Sequence, residues 1–183
     1  VVINSALPKS YMNLNFVIID LEDGDIPFNV NYRFRGRYKK TKVDSHIYHL
    51  LNTTYECLQI GIKEAQPGKT FGDIGYKIQE YAENKNYSVV RDFCGHGIGQ
   101  QFHTPPSVLH FGNLGEGPIL KPGMFFTIEP MINLGDWKVK ILNDGWTAVT
   151  KDKSYSAQFE HTIGITEEGN EVFTLSENNT DFP

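Results

Sequence analysis

The fold of this chain is decided by three short blocks: Cys94-Gly95-His96-Gly97-Ile98-Gly99, Thr127-Ile128-Glu129-Pro130-Met131 and Gln158-Phe159-Glu160-His161-Thr162. Each block places an acid or an imidazole among residues that favour burial, and a second histidine, His103, follows the first block closely. Charged groups persist in buried positions when they are paired or bind a metal. We therefore interpret His96, Glu129 and Glu160 as one shared metal site.

The two histidines lie in stretches that restrict the backbone. Glycines on both sides of His96 let the backbone approach its neighbours closely and adopt unusual dihedral angles, which leaves the imidazole facing a site. His103 precedes Thr104-Pro105-Pro106, and the prolines predict a rigid setting for it. A single histidine in a glycine-rich turn is more often structural, so a functional role depends on the other blocks.

The two glutamates supply the charge that a metal would need. Glu129 is followed by Pro130, which breaks ladder pairing and predicts a bulge or a strand end. Either acid alone would be a salt-bridged core carboxylate, but both beside two constrained histidines favour a metal. Carboxylates with one imidazole suit Mn, Co, Fe(II) or Zn, and two bridging acids suggest a pair of ions.

Length and composition indicate one globular domain. The chain has 183 residues, of which 39% are apolar and 21% are charged. We predict a single domain over residues 1–176 and a loose tail over 177–183. The net charge of -5 argues against a nucleic-acid partner. Two cysteines indicate a reducing compartment, and no apolar run approaches the roughly 20 residues of a membrane span.

The periodicity of the chain changes along its length and predicts an α+β fold. Residues 14–21 form a predicted strand that contains Asp20, and residues 29–38 form a second one. A helix is predicted from Ser45 to before Pro67, and another begins at Thr70, where Asp73 completes a cap. Later strands are predicted over 88–92, 124–132, 138–142, 147–150, 156–166 and 171–174.

Five stretches of this chain resemble type 1 methionine aminopeptidases. They are residues 87–99, Phe102-His103-Thr104-Pro105-Pro106, residues 127–132, Asp144-Gly145-Trp146-Thr147 with the strand after it, and Ser156-Ala157-Gln158-Phe159-Glu160-His161-Thr162. The resemblance covers roughly residues 54–174. The Asp-Gly-Trp-Thr and Ser-Ala-Gln-Phe-Glu-His-Thr blocks favour this family over its prolidase and aminopeptidase P relatives.

The resemblance implies the pita-bread fold, a curved antiparallel sheet covered by helices, with metals held by two Asp, one His and two Glu. His96, Glu129 and Glu160 match three of these ligands, and Glu129 also matches the proton shuttle. His103 matches the histidine that contacts the substrate and stabilises the tetrahedral intermediate. Phe102 and Trp146 match walls of the methionine pocket, and Ser156 matches a residue near a monovalent-cation site.

The chain departs from the family pattern in its front part. Asp20 matches the first aspartate, but Asn31 stands where the second is expected, and Ser5 stands where the family has a substrate-facing histidine. The segment that usually precedes these residues is expected to be missing, as in an N-terminally truncated protein. A neutral Asn31 removes one negative charge, so we expect one divalent ion to bind more tightly than a second.

Three functions are compatible with these residues. The first is removal of N-terminal methionine from nascent chains by a metal-activated water, in a monomeric protein near the ribosome, in the cytoplasm or an organelle. The second is a catalytically impaired pita-bread homologue that binds peptides or proteins. The third is a prolidase-like exopeptidase, which the methionine-type substrate blocks disfavour.

Overall fold

A computed structural model of the chain describes residues 45–175, together with the backbone of the short strand at 17–18. Several sequence predictions lie outside these residues: the ligand positions Asp20 and Asn31, the position of Ser5, the second predicted strand and the C-terminal tail. The assignment of residues 1–176 to one domain stays a prediction.

Two helices follow one another near the start of the described region. Helix α1 spans Ser45–Glu64 and helix α2 spans Phe71–Asn84. The predicted cap of α2 is confirmed, because the Thr70 hydroxyl accepts a hydrogen bond from the Asp73 backbone at 3.2 Å and the Asp73 carboxylate accepts one from Thr70 N at 2.7 Å. This reciprocal pairing satisfies two N–H groups at the helix start and fixes where α2 begins.

The rest of the described chain consists of short strands and turns. The strands are β1 Val17–Ile18, β2 Ser88–Val89, β3 Gly95–Gly97, β4 Thr104–Val108, β5 Phe125–Ile128, β6 Met131–Asn133, β7 Val139–Ile141, β8 Ala148–Thr150, β9 Ser156–Gln158, β10 His161–Ile165 and β11 Asn170–Val172.

All strand pairs that the structure describes are antiparallel. One sheet has the order β1-β9-β6-β2, a second has the order β11-β10-β5-β3-β4, and β7 pairs with β8 alone. Helix α1 packs on α2 and on β5, β6 and β9, while α2 packs on β2. Helices segregated against antiparallel sheets confirm the predicted α+β class.

Two chain segments cross from one large sheet to the other, and this corrects the sequence prediction. The predicted strand 124–132 is two strands, β5 and β6, separated by Glu129 and Pro130. The predicted strand 156–166 is also two strands, β9 and β10, separated by Phe159 and Glu160. Before and after each break the chain pairs in a different sheet: β5 pairs with β10, whereas β6 pairs with β9.

The first histidine block is also a strand, where the sequence had indicated a turn. His96 lies in the middle of β3, and its pairing with β4 shifts register between His96 and Gly97. Strand β4 contains Pro105 and Pro106 and is the last of the described strands in its sheet, a position in which a missing N–H leaves no described neighbour unpaired. Glycine and proline in these strands weakened the sequence signal for both.

The hydrophobic core lies between the two helices and the two large sheets. Its fully buried side chains include Leu50 and Leu58 of α1, Ile78 of α2, and Phe126 and Ile132 of the sheets. None of the helices in the described part of the chain is both long enough and apolar enough to cross a membrane.

Helix α2 touches the segment after β4 through a glycine. A Cβ on Gly75 would lie 2.5 Å from the carbonyl oxygen of Phe111 and 2.8 Å from that of Leu109. Both contacts are with backbone atoms, which cannot rotate away as a side chain can. The helix therefore holds the 109–111 segment at a separation that only glycine permits.

We expect Gly75→Ala to destabilise the protein, although alanine in a helix usually gains about 1 kcal/mol over glycine. The added methyl group must displace backbone, and such overpacking typically costs about 1–3 kcal/mol. Urea unfolding of Gly75→Ala and Gly61→Ala gives a matched comparison, because the nearest atoms to a Cβ on Gly61 are side-chain carbons of Ile78 and Ile128 and not backbone atoms. Equal stability of Gly75→Ala and the unmodified chain would contradict the close approach.

Candidate metal centre

Three side chains converge between the two large sheets. One ligand atom each from His96, Glu129 and Glu160 lies within 4.8 Å of the other two. Glu129 follows β5, Glu160 precedes β10, and Ile128 pairs with His161, so the two sheet crossings face each other. The neighbouring strand β3 brings His96 to the same place, because Gly97 pairs with Phe126 of β5. The three blocks that the sequence singled out therefore meet at one point.

The glycines beside His96 serve close packing. A Cβ on Gly95 would overlap the carbonyl group of Thr127, and a Cβ on Gly97 would overlap that of Pro105. The expected close approach is thus present, whereas neither glycine adopts a positive φ, contrary to the expectation of unusual dihedral angles. Strand β3 can lie against both of its neighbours only because these residues lack side chains.

The orientation of the His96 ring leaves one nitrogen available. The Nδ1 atom lies 2.9 Å from the carbonyl oxygen of Gly97, and a carbonyl can only accept, so Nδ1 carries the proton. The Nε2 atom lies 3.7 Å from Oε1 of Glu129 with its lone pair free. A hydrogen bond from one ring nitrogen to a carbonyl is the usual way in which a metal-binding histidine is oriented.

Neighbouring groups hold the Glu129 carboxylate at both oxygens. The Thr127 hydroxyl donates to Oε1 at 2.7 Å and accepts a hydrogen bond from His96 N at 2.9 Å. The Gln158 amide donates to Oε2 at 3.1 Å. The backbone N–H of Glu129 donates to Nε2 of His110 at 3.0 Å. The side chain of Glu129 is only 15% exposed, so it lies in a fixed position between the sheets.

The two carboxylates are destabilised in their ionised forms. Burial, together with the charge of Glu160, raises the pKa of Glu129 to about 8. Burial also raises the pKa of Glu160, and His96 opposes that shift. Within the described ranges, neither glutamate forms an ion pair with a lysine or an arginine. Two partly buried acids, an imidazole nitrogen with a free lone pair and no described lysine or arginine partner form a donor set that fits a divalent cation.

His103 and Phe102 lie beside this cluster. The His103 ring centroid is 4.3 Å from that of His96, and the Phe102 centroid is 5.2 Å from it. Burial and, to a smaller extent, the nearby His96 lower the pKa of His103. Both side chains are exposed on their outer sides, so they form one wall of an open site.

Among the rings that the structure describes, Trp146 makes no ring contact with Phe102 or His103. It lies in the turn between β7 and β8, where the Asp144 carboxylate accepts hydrogen bonds from the backbone of Trp146 and Thr147, each at 2.9 Å. The indole is 59% exposed, and no ring contact joins it to Phe102 in the described part of the chain. The joint pocket of Phe102 and Trp146 therefore stays a prediction.

Sequence reasoning missed three residues that contact Glu129. Thr127 and Gln158 lie inside the quoted blocks, two residues before Glu129 and Glu160 respectively. Residues two apart in a strand face the same side, so this spacing could have indicated both. His110 lies outside every block, and no local pattern links it to a residue 19 positions later. Hydrogen bonds of this kind depend on the tertiary fold.

Comparison with known proteins agrees with this geometry. Residues 35–167 match the model of metallopeptidase family M24. A methionine aminopeptidase of Rickettsia prowazekii is 56% identical over 135 residues, which are 73% of this chain and 52% of that protein. The chain spans about half the length of the curated relatives it matches.

Solved structures give the same assignment. The crystal structure of the Rickettsia prowazekii methionine aminopeptidase superposes with a TM-score of 0.73 at 54% identity, covering 75% of this chain and 56% of that one. A prolidase from Pyrococcus furiosus superposes with a TM-score of 0.54 at 23% identity, covering 73% of this chain and 34% of that one, and it shares only the fold. The fold is therefore the expected pita-bread fold, and the chain belongs to metallopeptidase family M24.

Proposed function

We propose that this protein removes N-terminal methionine from polypeptides by metal-dependent hydrolysis. The observation that carries the proposal is the convergence of His96, Glu129 and Glu160 at the crossing of two sheets, with no ion pair to a lysine or an arginine among the described residues. Relatives over half identical to this chain bear the name methionine aminopeptidase, which supports this reaction over a non-catalytic binding module.

The ligands proposed for the divalent ion are His96, Glu129, Glu160 and Asp20, with Asn31 as a weak fifth. Among the described members, the imidazole would use Nε2, since Nδ1 is committed to Gly97. Mn, Co, Fe or Zn suits this mixture of oxygen and nitrogen donors. When bound, such an ion supplies Lewis-acid chemistry, because it acidifies water and polarises a carbonyl group.

Two residues of the chain would take part in the hydrolysis: Glu129 would transfer a proton, and His103 would stabilise the negative charge that develops on the carbonyl oxygen. Once a bound cation has expelled the proton that the ion-free Glu129 holds, its carboxylate would take a proton from the attacking water and pass it to the departing amine. The lowered pKa of His103 keeps its ring uncharged near neutral pH, so one N–H can donate to the oxygen that becomes negative. His103 projects from the same wall as Phe102, which we propose as a contact of the methionine side chain.

The proposed substrates are nascent polypeptides that begin with methionine followed by a small residue. Such substrates arise where proteins are made, so we place the protein in the cytoplasm or in an organelle with its own synthesis, near the ribosome and as a monomer. The acidic net charge of -5 makes direct binding to nucleic acid unfavourable.

We expect the chain to bind Mn²⁺ and to lose affinity in Glu129→Gln and Glu160→Gln. Each substitution keeps the shape of the side chain but removes one negative charge from the donor set. Isothermal titration should show a dissociation constant for Mn²⁺ that is at least tenfold larger in both variants. Glu168→Gln, in the exposed turn before β11, is the matched control and should bind as the unmodified chain does. Binding that survives both core substitutions would contradict the proposed ligands.

Metal binding should strengthen as the pH rises from 6 to 8. The pKa of Glu129 in the folded chain is raised from 4.5 to about 8, so the ion-free protein holds an extra proton that a bound cation must expel. By the same linkage, the stabilising effect of this proton on the ion-free fold is complete below pH 4.5 and is lost as the pH rises through 8.

Affinity should therefore change by up to about tenfold per pH unit in this window, and then level off above it. Titration in two buffers with different ionisation enthalpies measures the released protons directly. In Glu129→Gln the dependence should be shallower. Equal affinity at pH 6 and pH 8 would show that Glu129 is already ionised in the ion-free protein.

Asn31→Asp should raise the number or affinity of bound divalent ions. Two dications repel each other strongly at the roughly 3.5 Å separation of a paired site, and the repulsion is offset only by nearby negative charge. We expect the unmodified chain to have weak or absent activity and Asn31→Asp to bind metal more tightly. Asn29→Asp adds the same charge two positions earlier and is the control. If both variants change Mn²⁺ stoichiometry and affinity equally, or neither does, the placement of the second aspartate at 31 is wrong.

Cleavage should be specific for methionine and should depend on Phe102. Over long incubation with Mn²⁺, mass spectrometry should show release of methionine from Met-Ala-Ser and much slower release of leucine or lysine from the matching peptides. Phe102→Ala should lower kcat/KM for the methionine peptide by about tenfold, the usual scale for a lost apolar contact. Phe173→Ala is the control, because Phe173 is as exposed as Phe102, at 52% against 51%, and lies after β11. Equal release from all three peptides would point to a broad aminopeptidase.

A further inference from the structure

The backbone of Glu129 has no ladder partner in the strands that the structure describes. Ile128 is the last residue of β5 paired with β10, and Met131 is the first residue of β6 paired with β9. Glu129 lies between them, where the chain changes sheets. A buried backbone N–H without an acceptor is strongly unfavourable, so this position requires an acceptor from elsewhere in the fold.

The acceptor is the imidazole of His110. Its Nε2 atom lies 3.0 Å from Glu129 N, and the residue is only 2% exposed. Because Nε2 accepts this bond, the ring is neutral and carries its proton on Nδ1. A large polar side chain with almost no contact with solvent is a costly choice for a core position unless the bond it makes is needed.

Helix α2 holds the segment that carries His110. Its neighbours Leu109 and Phe111 present their carbonyl oxygens to Gly75 of α2, at a distance that leaves no room for a side chain. One residue further on, the backbone N–H of Gly112 donates to the amide oxygen of Gln79, also in α2, at 3.1 Å. The imidazole is therefore presented by a segment anchored on a helix.

Glu129 is consequently held at three points that lie in different parts of the chain. Thr127 and Gln158 bind the two carboxylate oxygens, and His110 binds the backbone. The carboxylate contacts fix the end of the side chain. The point from which the side chain starts is fixed on the N–H side by His110 and on the carbonyl side by Gln158, whose amide also donates to the Glu129 backbone oxygen at 3.3 Å. Loss of the His110 contact would leave the Glu129 N–H without an acceptor, which the Gln158 bond to the carbonyl oxygen cannot replace. The sheet crossing could then shift and carry the carboxylate away from His96 and Glu160.

We propose that His110 is a positioning residue, which sets the Glu129 carboxylate for cation binding by accepting a hydrogen bond from the Glu129 backbone at the sheet crossing. This role rests on the proposed function of the site. It does not require His110 to touch the ion or the substrate. Groups that orient a ligand in this indirect way commonly change metal affinity by 10- to 100-fold when they are replaced.

A matched pair of substitutions tests the role. His110→Gln and His110→Met introduce side chains of the same length and similar volume, but only glutamine has an oxygen that can accept from Glu129 N. Leu50→Ala is a stability control, because Leu50 is 1% exposed in α1 and is not one of the residues that hold Glu129. The probe is Mn²⁺ alone, titrated into the full chain, and thermal unfolding without metal is measured in parallel.

We expect His110→Met to bind Mn²⁺ at least tenfold more weakly than the unmodified chain and His110→Gln to bind within about threefold of it. Leu50→Ala should unfold at a lower temperature yet keep its affinity, which separates positioning from stability. If His110→Met does not fold, His110→Gln alone decides, and weakened binding by the folded His110→Gln protein would overturn the acceptor role.

Unchanged Mn²⁺ affinity in a folded His110→Met protein would overturn the positioning role and leave the proposed function intact. Absence of Mn²⁺ binding by the unmodified chain would instead overturn the proposed function, and the role of His110 with it.

Discussion

Two largely but not fully buried carboxylates at facing sheet crossings are the constraint on which this structure depends. Glu129 and Glu160 lie close enough for one to raise the pKa of the other, and no described lysine or arginine neutralises them. Such a pair is unfavourable when both groups are ionised, so the fold must either protonate one of them or provide a cation. Hydrogen bonds from Thr127 and Gln158 and to His110 keep Glu129 in this position.

The neighbours that hold Glu129 are neutral, and this choice has a physical consequence. Thr127 and Gln158 donate hydrogen bonds that favour the ionised carboxylate, but burial and Glu160 outweigh them. An arginine in their place would have paired with the carboxylate and removed its affinity for a cation. Neutral donors orient the oxygens and leave the charge available, which is what a metal ligand or a proton carrier requires.

The sequence predicted the parts of the fold whose signals are local. The cap formed by Thr70 and Asp73 fixed the start of α2, and Pro130 marked the break after Glu129. The second break, at Phe159 and Glu160, contains no proline. It shows only in the change of partner strand between β9 and β10, which the local sequence does not indicate. The contact of His110 with Glu129 was likewise hidden, since it joins residues that no periodicity relates.

The charge of the described site bears on how many ions it can hold. Glu129 and Glu160 contribute two negative charges when ionised, and a His96 imidazole that binds an ion through Nε2 while Nδ1 donates to Gly97 contributes none. Two charges match one dication, so the described residues suffice for a single ion. A second dication would add two positive charges to a buried site that has no acid left to offset them. Its binding must therefore depend on acids in the front part of the chain, where Asp20 supplies one charge and Asn31 supplies none.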